Sequence, residues 1–438
     1  MLDPQLLREN PEKIKESIQK RGLDIDLERI KQLDERKREL LRLLEEKRAE
    51  QNKITKEISQ NPEKKELLAL ASSLKEEIEK IEREYKKIND SFWEEFSELP
   101  NLISPDVPYG ESEEDNLVLR SWGDPPKFDF QPKDHLELGE SLDIIDVKKA
   151  SQVAGSRFSY LKREGALLEF ALIQFVLDTL LNENIISQIA KSVSPDFPAK
   201  TFIPVVPPVF IKPEVFFKMA RLYKGDREER YYLEKDDLYL IGSAEHTLGP
   251  LEMNETLREE DLPLRYLGFS TCFRREAGSY GKDVRGILRQ HQFDKLEMES
   301  FTLPELSLLE QEFHVKIQEY LLQKLKLPYR VVLLCSQDMG KPDFRQIDIE
   351  VYLPSQKRYR ETHSSDLMID FQSRRLNIKL KRKNSGKKEF VHMADATALA
   401  IGRTIIAILE NYQQKDGSIE IPEVLLPYMH GISKISRK

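Results

Sequence analysis

The stretch from Phe269 to Met298, FSTCFRREAGSYGKDVRGILRQHQFDKLEM, concentrates side chains that can do chemistry. Two sets of them have the alternating spacing of one face of a β-strand. The sets are Arg274 and Glu276 on a first strand, and Arg289, His291, Phe293, Lys295 and Glu297 on its partner. The segment from Gly278 to Gly286 is the predicted loop between them. Guanidinium groups and an aromatic ring on one patch of sheet suit a nucleotide, because Arg binds phosphate and the ring stacks on the base. An exposed hairpin with cross-strand ion pairs is the alternative that these residue types leave open.

The elements that must position these residues are strands and helices of one globular domain. Residues 165 to 183 have the pattern of an amphipathic helix, and two further helical patterns cover about 304 to 325 and 398 to 413. Strands are predicted in TFIPVVPPVFI (Thr201 to Ile211), LYLIGSAE, LRYLGFSTCFRRE, HQFDKLEMESFT and YRVVLLC. This clustering predicts an α+β fold with a mostly antiparallel sheet flanked by helices. Because the G-x-G-x-x-G and G-x-x-x-x-G-K-[ST] patterns are absent, a nucleotide must be held without a Rossmann site or P-loop.

The segment from Leu27 to Phe96 predicts a helical hairpin. It is charge-rich and lacks Gly, and its only Pro, Pro62, stands beside Asn61 between two halves. Apolar positions recur at steps of three and four in both halves. They are Ile30, Leu33, Leu40, Leu44, Ile54 and Ile58, then Leu67, Ala71, Leu74, Ile78, Ile81, Tyr85, Ile88 and Phe92, with Lys37, Lys47 and Gln51 as polar interruptions. Two such seams predict an antiparallel coiled coil of about 45 to 50 Å.

Composition limits the classes of function. The chain has 438 residues and a net charge of −8, so any contact with nucleic acid must come from local basic patches. The stretch RRLNIKLKRKNSGKK (Arg374 to Lys388) is one candidate, with a strand that runs into a solvated loop as the alternative. Cys272 and Cys335 lack C-x-x-C spacing, so neither a disulfide framework nor a zinc site is expected. No signal-like or membrane-spanning apolar run occurs, and we expect a soluble, cytoplasmic protein without membrane contact.

Together these landmarks resemble the seryl-tRNA synthetase family of class II aminoacyl-tRNA synthetases. The stretch from Phe269 to Met298 is similar to the second signature motif of that class. Other matching segments follow the family order: DHLELGESLDIIDVKKASQVAGSRFSYLKREGALLEFALIQF, LYLIGSAE, YRET with DFQSRR, and AIGRTIIAILENYQQKDGSIEIPEVLLPY. The hairpin and its LPN and DVP junction are similar to the N-terminal domain of the family. The resemblance implies a tRNA-binding domain over residues 1–105, with its arm over about 27–97, and a catalytic domain over 106–438.

The activity implied by the resemblance is an ATP-dependent serine–tRNA ligase. Serine and ATP would give seryl-adenylate and pyrophosphate, and the seryl group would then pass to the 3′ end of tRNA(Ser). The arm would grip the long variable arm of the tRNA. The resemblance leaves tRNA(Sec) open as a second RNA partner. It also implies a homodimer in which TFIPVVPPVF, with Pro208, lies near the subunit boundary.

The resemblance assigns roles to particular residues. Arg274 and Glu276 are the expected catalytic residues, with Arg274 holding both the α-phosphate and the substrate carboxylate. The expected ATP-binding residues are Arg274, Arg275, Glu276, Arg289, Phe293, Glu361, Thr362, His363, Ser364 and Arg403. Of these, Glu361 and Ser364 would bind Mg²⁺. The expected serine-binding residues are Ser243, Ala244, Glu245, Arg274, Glu297, Asp395 and Thr397.

Several positions depart from the family pattern. Ser243 and Thr397 exchange one hydroxyl residue for another, and Ala396 and Ala398 replace glycines. Asp395 replaces a usual Asn, and Asp366 with Leu367 replaces a Ser-Asn pair. These changes bear on specificity and rate, and they motivate a second hypothesis, a paralogue that binds tRNA without catalysis. A third hypothesis is a related ligase that loads a carrier protein, although such relatives lack the long hairpin.

Overall fold

The structure, a computed structural model, describes residues 1–60, 63–223, 226–276 and 286–437, which form two units, Met1–Leu102 and Ile103–Lys438. Residues 278–285 of the predicted loop lie outside this part of the chain, as do Asn61 and Pro62. In the described residues no helix is long and apolar enough to cross a membrane.

The first unit is helical. Its helices are α1 (Pro4–Glu9), α2 (Pro11–Lys20), α3 (Leu27–Gln60) and α4 (Lys65–Phe96). Helices α3 and α4 run antiparallel, since Arg29 pairs with Glu95 and Lys47 with Glu77. Their shared apolar core follows the predicted seam and consists of Leu40, Leu44, Ile54, Leu74, Ile78 and Ile81.

Lys37 shows how the hairpin accommodates a polar residue in its seam. Its Nζ lies 3.4 Å from the ring centroid of Phe92 and 4.9 Å from that of Trp93. The same nitrogen is 3.3 Å from Asp34 Oδ1. The aliphatic stem is therefore buried while two aromatic faces and a carboxylate stabilise the charge. Burial lowers the pKa of Lys37, although Asp34 opposes the shift.

The second unit combines helices with a large sheet. Its helices are α5 (His135–Ser141), α6 (Val147–Ala154), α7 (Glu164–Leu180), α8 (Glu183–Val193), α9 (Pro213–Lys218), α10 (Glu245–Leu248), α11 (Ser307–Lys324), α12 (Phe371–Leu376) and α13 (Ile401–Asn411). Its strands are β1 (Leu117–Trp122), β2 (Ile145–Asp146), β3 (Tyr160–Leu161), β4 (Ile203–Val205), β5 (Phe210–Ile211), β6 (Tyr232–Leu233), β7 (Leu238–Leu240), β8 (Thr256–Arg258), β9 (Leu264–Phe273), β10 (Gln292–Thr302), β11 (Tyr329–Leu333), β12 (Arg345–Leu353), β13 (Arg358–Ile369), β14 (Lys379–Lys381), β15 (Lys388–Phe390), β16 (His392–Ala400), β17 (Ile419–Glu420) and β18 (Lys434–Ile435).

Eight of these strands form the central sheet, in the order β1-β11-β12-β13-β16-β10-β9-β4. All neighbours are antiparallel except β4 and β9, which are parallel. The predicted α+β fold, with a mostly antiparallel sheet and a preceding helical hairpin, is confirmed. The main apolar core joins one face of the sheet to helices α7, α8, α11 and α13.

Several predicted boundaries differ from the structure. The strand predicted over Thr201–Ile211 is two short strands, β4 and β5, which belong to different sheets. The helix predicted over 165–183 ends at Leu180, and the strand predicted in LYLIGSAE ends at Leu240, before Glu245 begins α10. Residues 398–400 belong to β16, and α13 begins only at Ile401. Strand β9 ends at Phe273 and β10 begins at Gln292, so Arg274, Glu276, Arg289 and His291 lie just beyond the strands that were expected to contain them. Alternation along a strand therefore fixes the direction of Phe293, Lys295 and Glu297 only.

Candidate active site

The site lies on the sheet face opposite the main core. Leu296 and Met298 of β10 are buried in that core, so the alternating residues Phe293, Lys295 and Glu297 face the other way. Across from Glu297, β9 has Gly268. A Cβ at this glycine would lie 2.6 Å from Leu248 Cδ1, so a side chain here would clash with helix α10.

A β-bulge brings Glu361 and Ser364 of β13 to the same wall. Their separation of three residues would place them on opposite faces of a regular strand. Ile349 and Glu350 are adjacent on β12, but their partners on β13, His363 and Glu361, are separated by one extra residue, Thr362. The extra residue restores a common face, and both side chains line one cavity.

The first cavity has a volume of about 180 Å³ and is the candidate nucleotide site. Its wall includes Arg274, Glu276, Arg289, Phe293, Glu361, Thr362 and Arg403. The guanidinium carbon Cζ of Arg274 lies 5.3 Å from the ring centroid of Phe293, and Arg274 Nε donates to the carbonyl of Gly242 at 3.0 Å. The guanidinium and the ring thus share one open face of the sheet.

Ion pairs hold the other polar side chains of this cavity in place. Arg289 Nη1 lies 3.1 Å from Glu276 Oε2, and Arg403 Nη1 lies 3.2 Å from Glu361 Oε1. Burial raises the pKa of Glu361, but Arg403, Arg274 and Arg289 outweigh it and bring the pKa below its ordinary value. The cavity therefore presents positive charge with an ionised carboxylate at its edge, as triphosphate binding requires.

A second cavity of about 440 Å³ adjoins the first and shares Arg274, Arg289, Lys295, Glu361 and Thr397 with it. Glu245, Glu297, Ser364 and Asp395 also line it. Its mixture of carboxylates and hydroxyls suits a small zwitterion next to the nucleotide.

Glu297 is the centre of a hydrogen-bond network in this second cavity. Ser243 Oγ and Thr397 Oγ1 donate to Glu297 Oε2 at 3.3 and 3.5 Å, and Lys295 pairs with the same carboxylate. Burial raises the pKa of Glu297 to about 7, while Lys295 opposes the shift. Burial also raises the pKa of Glu245, but His246 and Lys295 bring it below its ordinary value.

The residues around Glu361 fit a hard divalent cation. Ser364 lies opposite Asp348, and Glu361 lies opposite Glu350, so the donors are all oxygen atoms. Burial and the nearby carboxylates raise the pKa of Asp348 well above its ordinary value, a repulsion that a cation would relieve. Among the described residues, no group of three or more His, Cys, Asp or Glu forms a complete metal site. A cation here would therefore need further ligands from its substrate.

Four predicted contact residues lie away from both cavity walls. Ser243 is buried and meets the site through Glu297, and Ala244 is buried in a core with Leu248. Arg275 turns to Tyr231, with its Cζ 5.8 Å from the ring. His363 is buried, and desolvation lowers its pKa to about 3.

Other residues at the site were not predicted from the sequence. Arg221, Asp348 and Glu350 line the second cavity, and none of them belongs to a recognisable motif. Gln318 of α11 supports the sheet from behind, since its Nε2 donates to the carbonyls of Ser364 and Thr397 at 2.8 and 2.9 Å. An uncharged, buried polar residue in the middle of a helix is the only sequence signal for this support.

The sheet, the paired cavities and the sequence define a class II tRNA synthetase core. Residues 228–412 match the family model described as the tRNA synthetase class II core domain (G, H, P, S and T), and residues 1–103 match the seryl-tRNA synthetase N-terminal domain.

Full-length relatives make the family assignment more specific. The serine–tRNA ligase of Thermodesulfovibrio yellowstonii is 43% identical, covering 98% of this chain and 99% of the relative, and that of Dictyoglomus thermophilum is 44% identical over 100% of both. Pyrococcus horikoshii seryl-tRNA synthetase complexed with ATP has a TM-score of 0.89 and 36% identity over 100% of both chains. The cytoplasmic serine–tRNA ligase of Naegleria fowleri in complex with AMP has a TM-score of 0.86 and 30% identity over 100% of this chain and 99% of that one. The chain belongs to the seryl-tRNA synthetase family.

Proposed function

We propose that this protein activates serine with ATP and transfers the seryl group to the 3′ end of tRNA(Ser). The observation that carries the proposal is the shared face of Arg274 and Phe293, 5.3 Å apart, at the junction of two adjoining cavities. The family membership and the names of its relatives supply the amino acid and the tRNA.

Activation brings the serine carboxylate to the α-phosphate of ATP, and the two anions repel. Arg274 lines both cavities, so its guanidinium contacts both groups and offsets the repulsion most strongly as the new O–P bond forms. Pyrophosphate leaves as that bond forms. Phe293 stacks on the adenine, and Arg289 and Arg403 balance the charge of the phosphates.

Serine is selected by its hydroxyl group. Ionised Glu297 accepts a hydrogen bond from that hydroxyl, while Ser243 and Thr397 donate to the Glu297 carboxylate and fix it in place. Alanine lacks the hydroxyl and forms no such hydrogen bond with Glu297, so the site binds it more weakly than serine. Glu245 lies beside the same cavity and binds the substrate ammonium.

Glu361 and Ser364 would hold Mg²⁺ next to the phosphates. When bound, this ion neutralises phosphate charge and orients the triphosphate. Glu361 is ready for this role because its arginine neighbours keep it ionised.

The assembly and the RNA interaction belong to the same proposal. The protein acts in the cytoplasm as a homodimer. Exposed apolar side chains beside Pro208 support the dimer, because Val206 is 85% exposed and Ile203 is 47% exposed. The arm α3–α4 grips the tRNA, and the unit Ile103–Lys438 performs both reactions.

Exchange of pyrophosphate into ATP tests the activation step. We expect serine-dependent exchange in the wild type, a loss of about 100-fold or more for Arg274→Ala, and little change for Arg163→Ala, an exposed arginine paired with Asp143. No exchange with any amino acid would instead favour the non-catalytic RNA-binding paralogue. Exchange without charging of tRNA(Ser) would favour the ligase that loads a carrier protein. Adding tRNA(Sec) to the charging assay tests the second RNA partner.

A further inference from the structure

Three buried carboxylates lie side by side at the second cavity, and two of them, Asp366 and Asp395, line its wall. Asp366 of β13 is directly opposite Asp395 of β16, and Asp395 is directly opposite Glu299 of β10. Their residues are 7%, 3% and 0% exposed. Like charges at opposed positions repel across a sheet, and burial removes the water that would screen that repulsion. The arrangement needs a compensating cation.

Arg221 is that cation. It follows α9, and its Nη2 lies 3.3 Å from Asp366 Oδ2 and 3.1 Å from Asp395 Oδ2. Its Nη1 lies 3.7 Å from Asp343 Oδ1. A guanidinium keeps its charge at every physiological pH and presents several N–H groups at once, so one side chain can bridge three carboxylates.

Arg221 also lines the amino-acid cavity, together with Glu245 and Glu297. It is close enough to Glu245 for the two charges to influence each other. The side chain of Arg221 therefore has two possible sets of partners: Asp366 and Asp395, or Glu245, the carboxylate proposed to bind the substrate ammonium.

We propose that Arg221, Asp366 and Asp395 form one ion-paired unit that positions the amino acid. The two aspartates hold Arg221 away from Glu245, and Arg221 offsets part of their negative charge. Glu245 then stays available for the substrate ammonium. Because Asp366 and Asp395 are paired with Arg221, they neither trap that ammonium nor repel the substrate carboxylate. Arg221 is a positioning residue in this scheme. The inference rests on the proposed function, because it concerns how the same site binds serine.

The proposal predicts that substituting only part of this unit impairs serine binding. Without Arg221, two buried carboxylates lose their partner and compete for the substrate ammonium. Without both of these aspartates, Arg221 keeps only the longer contact with Asp343, so it can shift towards Glu245 and repel the ammonium. Removing all three charges changes the local charge by one unit, against two units when only the aspartates are removed, so the effects of the substitutions are non-additive.

The test measures KM for serine and KM for ATP in pyrophosphate exchange. We compare Asp366→Ser/Asp395→Asn with Arg221→Met/Asp366→Ser/Asp395→Asn, both of which lack the aspartates. The first should raise KM for serine about tenfold with KM for ATP nearly unchanged, and the second should return within about threefold of the wild type. Arg221→Met alone should also raise KM for serine, and Arg221→Lys should recover part of the loss because the charge is retained.

Arg120→Met is the matched control, since Arg120 also bridges two carboxylates, at 3.0 Å from Glu312 and 2.9 Å from Glu319, away from both cavities. It should leave KM for serine unchanged. Equal KM values for serine in the double and triple variants, or KM for serine and for ATP rising together, would overturn the inference while wild-type exchange persists. Absence of serine-dependent exchange in the wild type would overturn the proposed function and this inference together.

Discussion

The ionisation of Glu297 decides how strongly the proposed serine site accepts a hydrogen bond from the substrate hydroxyl. Burial raises the pKa of Glu297 to about 7, and the ionised carboxylate accepts a stronger hydrogen bond than the protonated acid. A group with a raised pKa loses its charge as the pH falls through that value. The site should therefore lose serine affinity on the acid side of neutrality.

We predict that kcat/KM for serine rises with pH through about 7 and levels off above it. Glu297→Gln should be low at every pH, because the amide neither ionises nor accepts with the same strength. Glu423→Gln, at an exposed carboxylate, should keep the wild-type profile. A wild-type profile that is flat between about pH 6 and 8 would contradict the role of Glu297.

Sequence reasoning reaches some of these residues and misses others for a physical reason. Phe293, Lys295 and Glu297 can be assigned to one face because alternation is a local property of a strand. Glu361 and Ser364 have the wrong spacing for a shared face, and only a bulge reconciles them. Arg221 could not be found, since its role depends on the pairing of two strands distant from it in the sequence.

At the scale of elements, the hairpin illustrates which patterns are readable. Seam positions three and four residues apart follow from helix geometry, and ten of the fourteen predicted apolar residues belong to the core of α3 and α4. Helix α11 lies within the helical pattern predicted over about 304–325, but it also buries Gln311 and Gln318 along with its apolar residues. These glutamines donate to sheet carbonyls, a pairing that periodicity does not reveal.

We predict that Leu44→Ala lowers the free energy of unfolding of the unit Met1–Leu102 by about 2 to 5 kcal/mol. Leu44 is 4% exposed in the seam, whereas its neighbour Leu43 is 38% exposed. Leu43→Ala should therefore change that free energy by no more than about 0.5 kcal/mol. Hydrogen exchange of the amides of α3 and α4 measures both. Equal loss of protection in the two variants would show that the seam does not stabilise the hairpin.

At the scale of the molecule, the order of the strands lay beyond sequence reasoning. The central order β1-β11-β12-β13-β16-β10-β9-β4 joins segments far apart in the chain. Local propensity indicates that strands exist, but it does not say which strands pair. The fold class was accessible because strand clustering and the long hairpin are visible locally.

The remaining question at this scale is how a protein with a net charge of −8 binds RNA, which is itself a polyanion. Lys53 and Lys56 are exposed on α3, towards its C-terminal end, where they can contact phosphates. Each phosphate contact releases counterions, so log K falls with log salt in proportion to the number of contacts.

We predict that Lys53→Gln/Lys56→Gln weakens tRNA binding and reduces the magnitude of its salt slope by about one to two. Serine-dependent exchange should be unchanged, because it needs no RNA. Lys148→Gln/Lys149→Gln removes two exposed lysines from α6, at 82% and 74% side-chain exposure, and should leave the slope near the wild-type value. If both double variants shift the slope equally, general charge governs RNA binding, and the hairpin has no special part in it.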